Sequence, residues 1–303
     1  MAITAQDVKA LREMTGVGMM DCKKALAASD GDMDKAVEWL REKGLAASAK
    51  KAGRIAAEGM AYAGVIDGVG VVVEVNAETD FVGKNEKFVD FVKGVAATVA
   101  ACAPADLDAL MECKYNGTDL TVTQQQQEMV LVIGENIKVR RFARFAEDTS
   151  VPYIHAGSKI GVLVNLEVTG SIDVTEVGKD MAMQIAALNP RFLDKSQVTQ
   201  DVLDEEKKIL LAQMDNDPKM VSKPAQVKEK IVEGKLNKFY AENCLLQQSF
   251  VKDGDVTVEQ YMNAAAKKLG GTIVLKNAVR FEKGEGIEKK QENFAEEIAK
   301  LAQ

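Results

Sequence analysis

The chain has 303 residues, of which 47% are apolar and 28% are charged, and its formal net charge is −7. This length and apolar content predict a folded protein of about two domains with a sizeable core. The acidic balance argues against a dedicated nucleic-acid-binding protein, because such a protein would carry a strongly basic surface.

The cysteines and the single histidine do not form a metal-binding pattern. Cys22, Cys102, Cys113 and Cys244 are scattered along the chain and show no C-x-x-C spacing. A zinc or iron–sulfur site needs ligands clustered at short, regular spacings. We therefore predict four reduced thiols, no metal site and no cofactor.

The N-terminal stretch "MAITAQDVKALREM" mixes charged and apolar residues instead of separating a basic region from an apolar one. This pattern predicts neither a signal nor a transit peptide. No apolar run approaches the roughly 20 residues that a membrane-spanning helix needs. We expect a cytoplasmic protein without a membrane partner.

The first predicted element is a helix in "TAQDVKALREMTG". Thr4 is a suitable N-cap, Val8, Leu11 and Met14 recur at helical spacing, and Gly16 is a suitable helix end. The spacing predicts a helix whose apolar face includes all three of these side chains.

Two more short helices are predicted in "MMDCKKALAASDGD" and "DMDKAVEWLREKG". Asp30-Gly31 separates them, and Gly44 is expected to end the third helix. The following "LAASAKKAGRIAA" suits an exposed helical linker. Residues 1–54 are thus predicted to form a three-helix bundle and its linker.

Residues 55–147 are predicted to form the first half of an α+β core. "EGMAYAGVIDGVGVVVEVNAE" carries β-branched residues on both sides of Asp67-Gly68, a dipeptide typical of a two-residue hairpin turn. Its glycines lack the following Gly-Lys-Ser/Thr of a phosphate-binding loop. "KNEKFVDFVKGVAATVAACA" then predicts an amphipathic helix on the sheet, and a further helix and strand follow. The apolar positions of the amphipathic helix are Phe88, Phe91, Val92, Val95 and Val99.

Residues 148–282 appear as a second copy of that pattern. The strand and helix in "GVGVVVEVNAETDFVGKNEKFVDFVKGVAATVAA" have a counterpart in "SKIGVLVNLEVTGSIDVTEVGKDMAMQIAALNP", and "GENIKVRRFARFAE" has one in "GGTIVLKNAVRFEKGEG". Such self-similarity is the mark of an internal repeat. The predicted fold class is α+β, with a helical bundle before a duplicated core of antiparallel sheets.

The second half carries an insertion at about residues 199–240. Two helical patterns flank the turn-rich "DNDPKMVSKP" and predict an antiparallel helical hairpin of coiled-coil type. The expected contact residues are Val202, Ile209 and Met214 in the first helix and Val227, Ile231 and Phe239 in the second. Residues 283–303 are predicted to be a C-terminal helical module, with Phe294, Ile298 and Leu301 on one face.

The chain lacks the residues of a recognisable catalytic site. His155 lies in "VPYIHAGSKIGVL" without a G-x-S-x-G motif or a reactive cysteine. We therefore predict that the protein is not an enzyme. Phe81 is the more informative residue, because a phenylalanine between a strand and a helix either caps the sheet or projects as an interface anchor.

Four motifs in order resemble the translation elongation factor Ts family along essentially the whole chain. They are "GVGMMDCKKAL", "ETDFV", "HAGSKIGVLV" and "FEKGEGIEK". The resemblance implies a guanine-nucleotide exchange factor that acts in translation elongation on elongation factor Tu. It also implies that the N-terminal bundle is similar to a ubiquitin-associated domain and docks on the nucleotide-binding domain of that GTPase.

The resemblance assigns roles to residues that match the family motifs. In the bundle it implies partner contacts by Arg12, Met19, Met20 and Lys23. In the core it implies that Thr79, Asp80, Phe81 and Val82 form the partner-binding motif. Asp80 and Phe81 would disturb the magnesium and phosphate site of the GTPase. His155 matches a histidine of the family in the second half.

Two positions depart from the common family pattern. Gly83 stands where the family commonly has alanine, which would better favour a helix start. Ala156 stands where a glycine commonly follows the histidine. Neither departure removes a group that would contact the partner.

Two other functions are compatible with the residues alone. The protein could be a non-catalytic binding adaptor whose bundle recognises a peptide or a ubiquitin-like partner. It could also be an enzyme that uses Asp80 and Glu78 in a cleft, which would require a carboxylate with a perturbed pKa.

Overall fold

The computed structural model describes residues 3–221 and 223–288. These residues form ten α-helices and eight β-strands. The helices are α1 (Ala5–Thr15), α2 (Met19–Ala28), α3 (Met33–Lys51), α4 (Glu86–Cys102), α5 (Leu107–Glu112), α6 (Val122–Ile133), α7 (Thr175–Leu188), α8 (Gln200–Asp215), α9 (Ala225–Asn243) and α10 (Val258–Leu269). The strands are β1 (Glu58–Ile66), β2 (Val69–Ala77), β3 (Lys138–Phe145), β4 (Thr149–His155), β5 (Ile160–Thr169), β6 (Ser249–Phe250), β7 (Asp253–Thr257) and β8 (Thr272–Glu282).

Helices α1–α3 form the predicted N-terminal bundle. Thr4 caps α1 and exchanges hydrogen bonds with Asp7, while Gly16 ends the helix in the left-handed conformation, so both predicted boundaries are confirmed. The bundle has its own apolar core, which includes Val8, Leu11 and residues of α2 and α3. Its helices are therefore held together mainly by burial of one face each.

The prediction that Gly44 ends the third helix is wrong. Helix α3 continues without interruption to Lys51, and Gly44 is buried in its middle. A Cβ atom on Gly44 would lie 3.3 Å from the carbonyl oxygen of Gln127 in α6. The glycine thus permits close approach of two helices and does not terminate one of them. As a result, the bundle packs directly against α6, and Leu131 and Val132 extend its apolar core.

Strands β1–β3 form the first antiparallel sheet, in the order β1-β2-β3. Asp67 and Gly68 both have positive φ, at 49° and 81°, which confirms the predicted two-residue hairpin turn. Helix α4 covers one face of this sheet. All five apolar residues predicted for its buried face are in the core: Phe88, Phe91, Val92, Val95 and Val99.

Strands β4, β5 and β8 form the second sheet, in the order β4-β5-β8. Helix α7 follows its central strand as α4 follows β2, and both helices lie in the apolar core of their own half. The central strand of each sheet also has a register shift against its third strand. These features confirm the α+β fold class with antiparallel sheets.

The two sheets pack against each other through small side chains. Ala61, Ala63 and Val72 of the first sheet pack with Leu163 and Phe281 of the second. The amide N–H of Ala61 also donates to the carbonyl oxygen of Ser158, 2.9 Å away. Small residues allow this close approach, so one apolar layer joins the two halves.

A buried carboxylate adds a polar connection between the sheets. Glu74 of β2 is fully buried, and its oxygens accept hydrogen bonds from Arg140 at 2.8 Å and Arg141 at 2.6 Å. Neighbouring strand residues normally point to opposite faces, but the register shift at Glu74 lets both arginines reach it. The amide of Gly284, just after β8, donates to the same carboxylate at 2.8 Å.

Helices α8 and α9 pack together as the predicted helical hairpin. Their shared core contains Leu210, Met214, Val232 and Leu236. Met214, Ile231 and Phe239 pack as expected, and Val202 packs at the base of the hairpin. Ile209 and Val227 were expected at the contact, but both are exposed. In the first helix the buried residue is Leu210, directly after Ile209. In the second helix the packed residues Ile231 and Val232 lie four and five positions after Val227.

In the described ranges, the structure contains no helix that is both long and apolar enough to cross a bilayer. The predicted C-terminal helix, with Phe294, Ile298 and Leu301, lies outside the described residues. Residues 283–286 form turns after β8.

Candidate functional site

A four-residue segment between β2 and α4 presents an exposed aromatic ring. We call residues Thr79–Val82 the wedge loop. The side chain of Phe81 is 79% exposed, the highest value among the large apolar residues of the described chain. Phe88, seven residues further on, is fully buried in the core of the same half. The fold therefore does not use Phe81 to cover the sheet.

Both ends of the wedge loop are held in place. The amide and hydroxyl groups of Thr79 donate to the two carboxylate oxygens of Glu135, at 3.0 and 2.7 Å. At the other end, Val82 is buried against the core. Its carbonyl oxygen accepts from the amide of Asn85, which caps α4. Only Asp80 and Phe81 lie between these anchors, and both are exposed.

The segment after the wedge loop requires a glycine. A Cβ atom at Gly83 would lie 2.8 Å from the carbonyl oxygen of Gly59 in β1. This residue belongs to a short 3-10 turn, Val82–Lys84, and α4 begins only at Glu86. The expectation that alanine would better suit a helix start therefore does not apply here, because close backbone approach decides this position.

The four bundle residues assigned by resemblance are all exposed. Met19 and Met20, at the start of α2, are 55% and 66% exposed, and Arg12 and Lys23 are exposed as well. Arg12 lines a cleft of about 570 Å³ that also contains Phe81. The structure thus brings Arg12 and the wedge loop to one cleft, with Met19 directly after its lining residue Gly18.

A hydrogen bond joins two residues that line this cleft. The Nζ atom of Lys87 in α4 donates to the carbonyl oxygen of Gly16 at 3.0 Å. Arg41 of α3 also pairs with Glu128 of α6 at 3.3 Å. These contacts, together with the apolar packing on α6, hold the bundle beside the wedge loop.

Met14 was expected in the core of the bundle, but it is 62% exposed. Six residues separate it from Val8, which places it about 120° around the helix from that buried side chain. The side chain lines two clefts between the bundle and the first half of the core. Met14 is therefore a candidate contact residue that the spacing argument missed, because it lies at the edge of the buried face.

His155 is the last residue of β4 and is exposed. Its Nδ1 atom lies 3.1 Å from the hydroxyl oxygen of Tyr153. The turn after it reaches the first sheet through Ser158, which accepts the hydrogen bond from Ala61. His155 does not line the cleft that contains Phe81, so it belongs to a separate surface.

The turn after His155 contains a conformation that favours glycine. Ala156 has φ of 49°, and Gly157 and Ser158 follow at 63° and 68°. An L-residue in the left-handed region is disfavoured by about 1–2 kcal/mol. The departure from the family pattern at Ala156 therefore changes local strain and removes no contact group.

We expect Ala156→Gly to raise the free energy of unfolding by about 0.5–1 kcal/mol. Glycine relieves the strain of the left-handed conformation, which stabilises the folded protein. It also raises the entropy of the unfolded chain, which offsets part of that gain. Urea denaturation measures it. As a control, Ala10→Gly at an exposed position within helix α1 should lower stability by roughly 0.5–1 kcal/mol. A lower midpoint for Ala156→Gly would show that this turn is not strained.

The two carboxylates considered for an enzymatic role have different surroundings. The Oε1 atom of Glu78 accepts from the amide of Asn136 at 2.6 Å and lies 3.4 Å from Arg54. Asp80 is exposed on the wedge loop. In residues 3–221 and 223–288, no group of three or more histidine, cysteine, aspartate or glutamate side chains is arranged to hold a metal ion.

A further cleft, of about 550 Å³, lies in the C-terminal half between α7 and α10. On its wall, the buried Asp180 accepts from the hydroxyl of Tyr261 at 2.7 Å and from Lys252 at 2.5 Å. Burial, reinforced by the hydrogen bond to Asp180, raises the pKa of Tyr261. These groups satisfy one another, so the cleft contains a structural polar cluster.

Comparisons with known proteins agree with the motifs over almost the full length. The family model described as elongation factor TS matches residues 78–285. Elongation factor Ts of Clostridium kluyveri is 49% identical over 304 residues, covering 98% of this chain and 98% of that protein. Elongation factor Ts of Trichlorobacter lovleyi is 49% identical over 312 residues, covering 100% of this chain and 99% of that protein.

Proposed function

The chain belongs to the elongation factor Ts family of nucleotide exchange factors, and on this premise we propose how it acts on elongation factor Tu. It binds the GDP complex of that GTPase and promotes GDP release by disturbing the magnesium and phosphate site. GTP can then reload the partner during translation elongation. The single observation that carries this proposal is the exposed Phe81, held between two anchored residues.

The wedge loop supplies the group that enters the partner. A loop held at both ends is preorganised for an interface, because less backbone entropy remains to be lost on binding. Aromatic anchors of this kind often dominate binding energy. Thr79 and Val82 hold the loop, while Phe81 displaces groups near the phosphate site and Asp80 acts beside it.

Release needs no covalent step. A bound magnesium ion is often the largest local charge at a phosphate site, so displacement of its supporting groups weakens phosphate binding. A thousandfold weakening corresponds to about 4 kcal/mol of differential binding. One contact rarely provides that much, so a second docking surface is needed.

The N-terminal bundle provides that second surface. Arg12, Met19, Met20 and Lys23 dock on the nucleotide-binding domain, and Met14, exposed near the end of α1, adds a third methionine to the bundle surface. Methionine suits this role because its flexible side chain adapts to an irregular partner surface. Support comes from the exposure of these residues and from the cleft that Arg12 shares with Phe81.

The remaining regions have subordinate roles in the proposal. The chain is divided into the bundle with its linker (1–54), the N-subdomain (55–147), the C-subdomain (148–282) and the C-terminal module (283–303). His155 contributes a contact from the C-subdomain on the separate surface at the end of β4. The site of action is the cytoplasm, and exchange requires neither nucleic acid nor membrane contact.

Release of labelled GDP from elongation factor Tu tests the function. In stopped-flow mixing, increasing concentrations of this protein should raise the release rate until it saturates. A non-catalytic adaptor would instead bind the GTPase without accelerating release. Binding at micromolar concentration with an unchanged release rate would therefore replace the exchange proposal with the adaptor.

Deletion of residues 1–51 should leave the core folded but lower exchange activity at least about tenfold at subsaturating concentration. The first sheet retains α4 and α6 as its own core, whereas the loss removes an entire docking surface. Circular dichroism and GDP release measure the two effects. Deletion ends at Lys51 so that the contacts of Arg54 with Asn136 and Glu78 remain.

Because the deletion uncovers Leu131 and Val132, a milder variant serves as its control. Met19→Ala combined with Met20→Ala removes two exposed side chains and should reduce exchange in the same direction without loss of stability. Full activity of both variants would exclude the bundle as a docking surface.

A further inference from the structure

The loop between α6 and β3 is hydrogen-bonded at two successive residues to the connection between β2 and α4, which contains the wedge loop. Glu135 accepts both hydrogen bonds from Thr79, one through each carboxylate oxygen. The next residue, Asn136, donates its amide N–H to Glu78 at 2.6 Å. Two neighbouring residues of one loop thus hold two neighbouring residues of the other.

The α6–β3 loop is itself firmly placed. Gly134 ends α6 in the left-handed conformation, and Ile137 is buried in the core. The side-chain amide of the buried Asn136 donates to the carbonyl oxygen of Arg54 at 2.8 Å. The amide of Val139 donates to Gln126 of α6 at 2.9 Å. A rigid support of this kind can transmit its position to the residues bonded to it.

Within this loop, Glu135 is the residue that bonds directly to the wedge loop. Its carboxylate is bonded to Thr79, and Thr79 precedes the two exposed residues Asp80 and Phe81. Without Glu135, the loop would keep Val82 as its anchor at one end and Glu78 would stay bonded to Asn136, but Thr79 itself would be released.

We propose that Glu135 is a positioning residue that preorganises the wedge loop for binding to the GTPase. It does not contact the partner. It holds Thr79 so that Phe81 is presented in its binding position before the complex forms. The inference rests on the proposed function and adds to it the residue that orders the loop.

Helix α6 extends this role to the bundle. The same helix carries Gln127, against which Gly44 of α3 packs, and Glu128, which pairs with Arg41. The middle and the last turn of α6 thus contact the bundle, and the loop that follows the helix holds Thr79. One rigid helix therefore fixes the bundle surface and the wedge loop relative to each other.

The test uses Glu135→Ala, with Glu135→Gln as the matched variant, in GDP release from elongation factor Tu. A glutamine retains the contact, because its carbonyl oxygen accepts from the Thr79 amide and its amide group donates to the Thr79 hydroxyl oxygen. For Glu135→Ala we expect the concentration for half-maximal acceleration to rise about tenfold. The maximal release rate should stay within about twofold, since the ring still enters the partner once bound. Glu135→Gln should behave as the wild type.

A second measurement is independent of the partner. Amide hydrogen exchange of the free protein should become faster in residues 78–82 of Glu135→Ala and remain unchanged in Glu135→Gln, with equal urea midpoints for all three proteins. Thr79→Val should add little in the Glu135→Ala background, because the two residues act through one contact.

The inference is overturned if Glu135→Ala has the half-maximal concentration and loop exchange of the wild type. It is also overturned if the alanine and glutamine variants are equally defective or if both lose global stability. Failure of the proposed function looks different: the wild type itself would not accelerate GDP release, whatever the loop exchange shows.

Discussion

Phe81→Ala is expected to slow the release of GDP from elongation factor Tu at least tenfold while the protein remains folded. A hot-spot aromatic contributes about 2 kcal/mol or more, which corresponds to roughly thirtyfold. Because the side chain is 79% exposed, its removal should change the free energy of unfolding by less than about 1 kcal/mol. Stopped-flow release and a urea midpoint measure the two quantities.

The neighbouring Phe88 offers a matched control for this variant. Its ring is fully buried, so Phe88→Ala should cost roughly 3–5 kcal/mol of stability. Asp80→Ala should slow release in the same direction as Phe81→Ala, but less. A large midpoint drop for Phe81→Ala would make the ring structural, and normal exchange would remove it from the mechanism.

Glu74→Ala is expected to lower the free energy of unfolding by about 3–5 kcal/mol, because it removes the buried carboxylate that pairs with two partly buried arginines. The fully buried carboxylate accepts from Arg140, Arg141, Asn76 and the amide of Gly284. Urea denaturation at neutral pH measures this loss. The exposed Glu13 pairs with Lys9 at 3.7 Å, and Glu13→Ala should change stability by no more than about 0.5 kcal/mol.

The same cluster makes stability depend on pH. Burial alone raises the pKa of Glu74, but hydrogen bonds from Arg140, Gly284, Asn76 and Arg141 outweigh burial and hold its pKa below the usual 4.5. A lowered folded-state pKa stabilises the protein fully above the unfolded value. That contribution is lost as pH falls through the folded value.

The difference in stability between the wild type and Glu74→Gln should therefore be greatest near pH 7 and should shrink at pH below about 4. Urea midpoints across this range measure it. A difference that stays constant as the pH falls would mean that ionised Glu74 is not the stabilising species.

The elements with local signals were predictable from the sequence. The turn at Asp67-Gly68 follows from the positive φ that the hairpin demands, and the face of α4 with Phe88 and Val92 follows from helical periodicity. Exposure of Phe81 could be named only as one of two possibilities, because a strand–helix junction allows either a cap or a projecting ring.

The features that were not predicted from the sequence depend on contacts between distant parts of the chain. Gly44 has the sequence context of a helix end, yet its role comes from Gln127 in another helix. Gly83 is required by its approach to Gly59, across the sheet edge. No local pattern contains the partner in either case.

The hydrogen bonds of Glu74 could not be predicted from local sequence either, because most of its partners are far away along the chain. Arg140 lies 66 residues after Glu74, and the amide of Gly284 lies 210 residues after it. Gly284 has φ of 72°, and a Cβ there would lie 2.0 Å from the carbonyl oxygen of Ala57. The motif "FEKGEG" can be recognised in the sequence by its resemblance to the family. Only the folded structure shows that it joins the two sheets.

The most direct test of the central claim is the affinity of elongation factor Tu for GDP, measured with and without a saturating concentration of this protein. The account predicts that GDP binds at least a hundredfold more weakly in its presence, which is about 2.8 kcal/mol. By linkage, GDP must weaken the binding of this protein by the same factor. An unchanged GDP affinity in a fully formed complex would contradict the account.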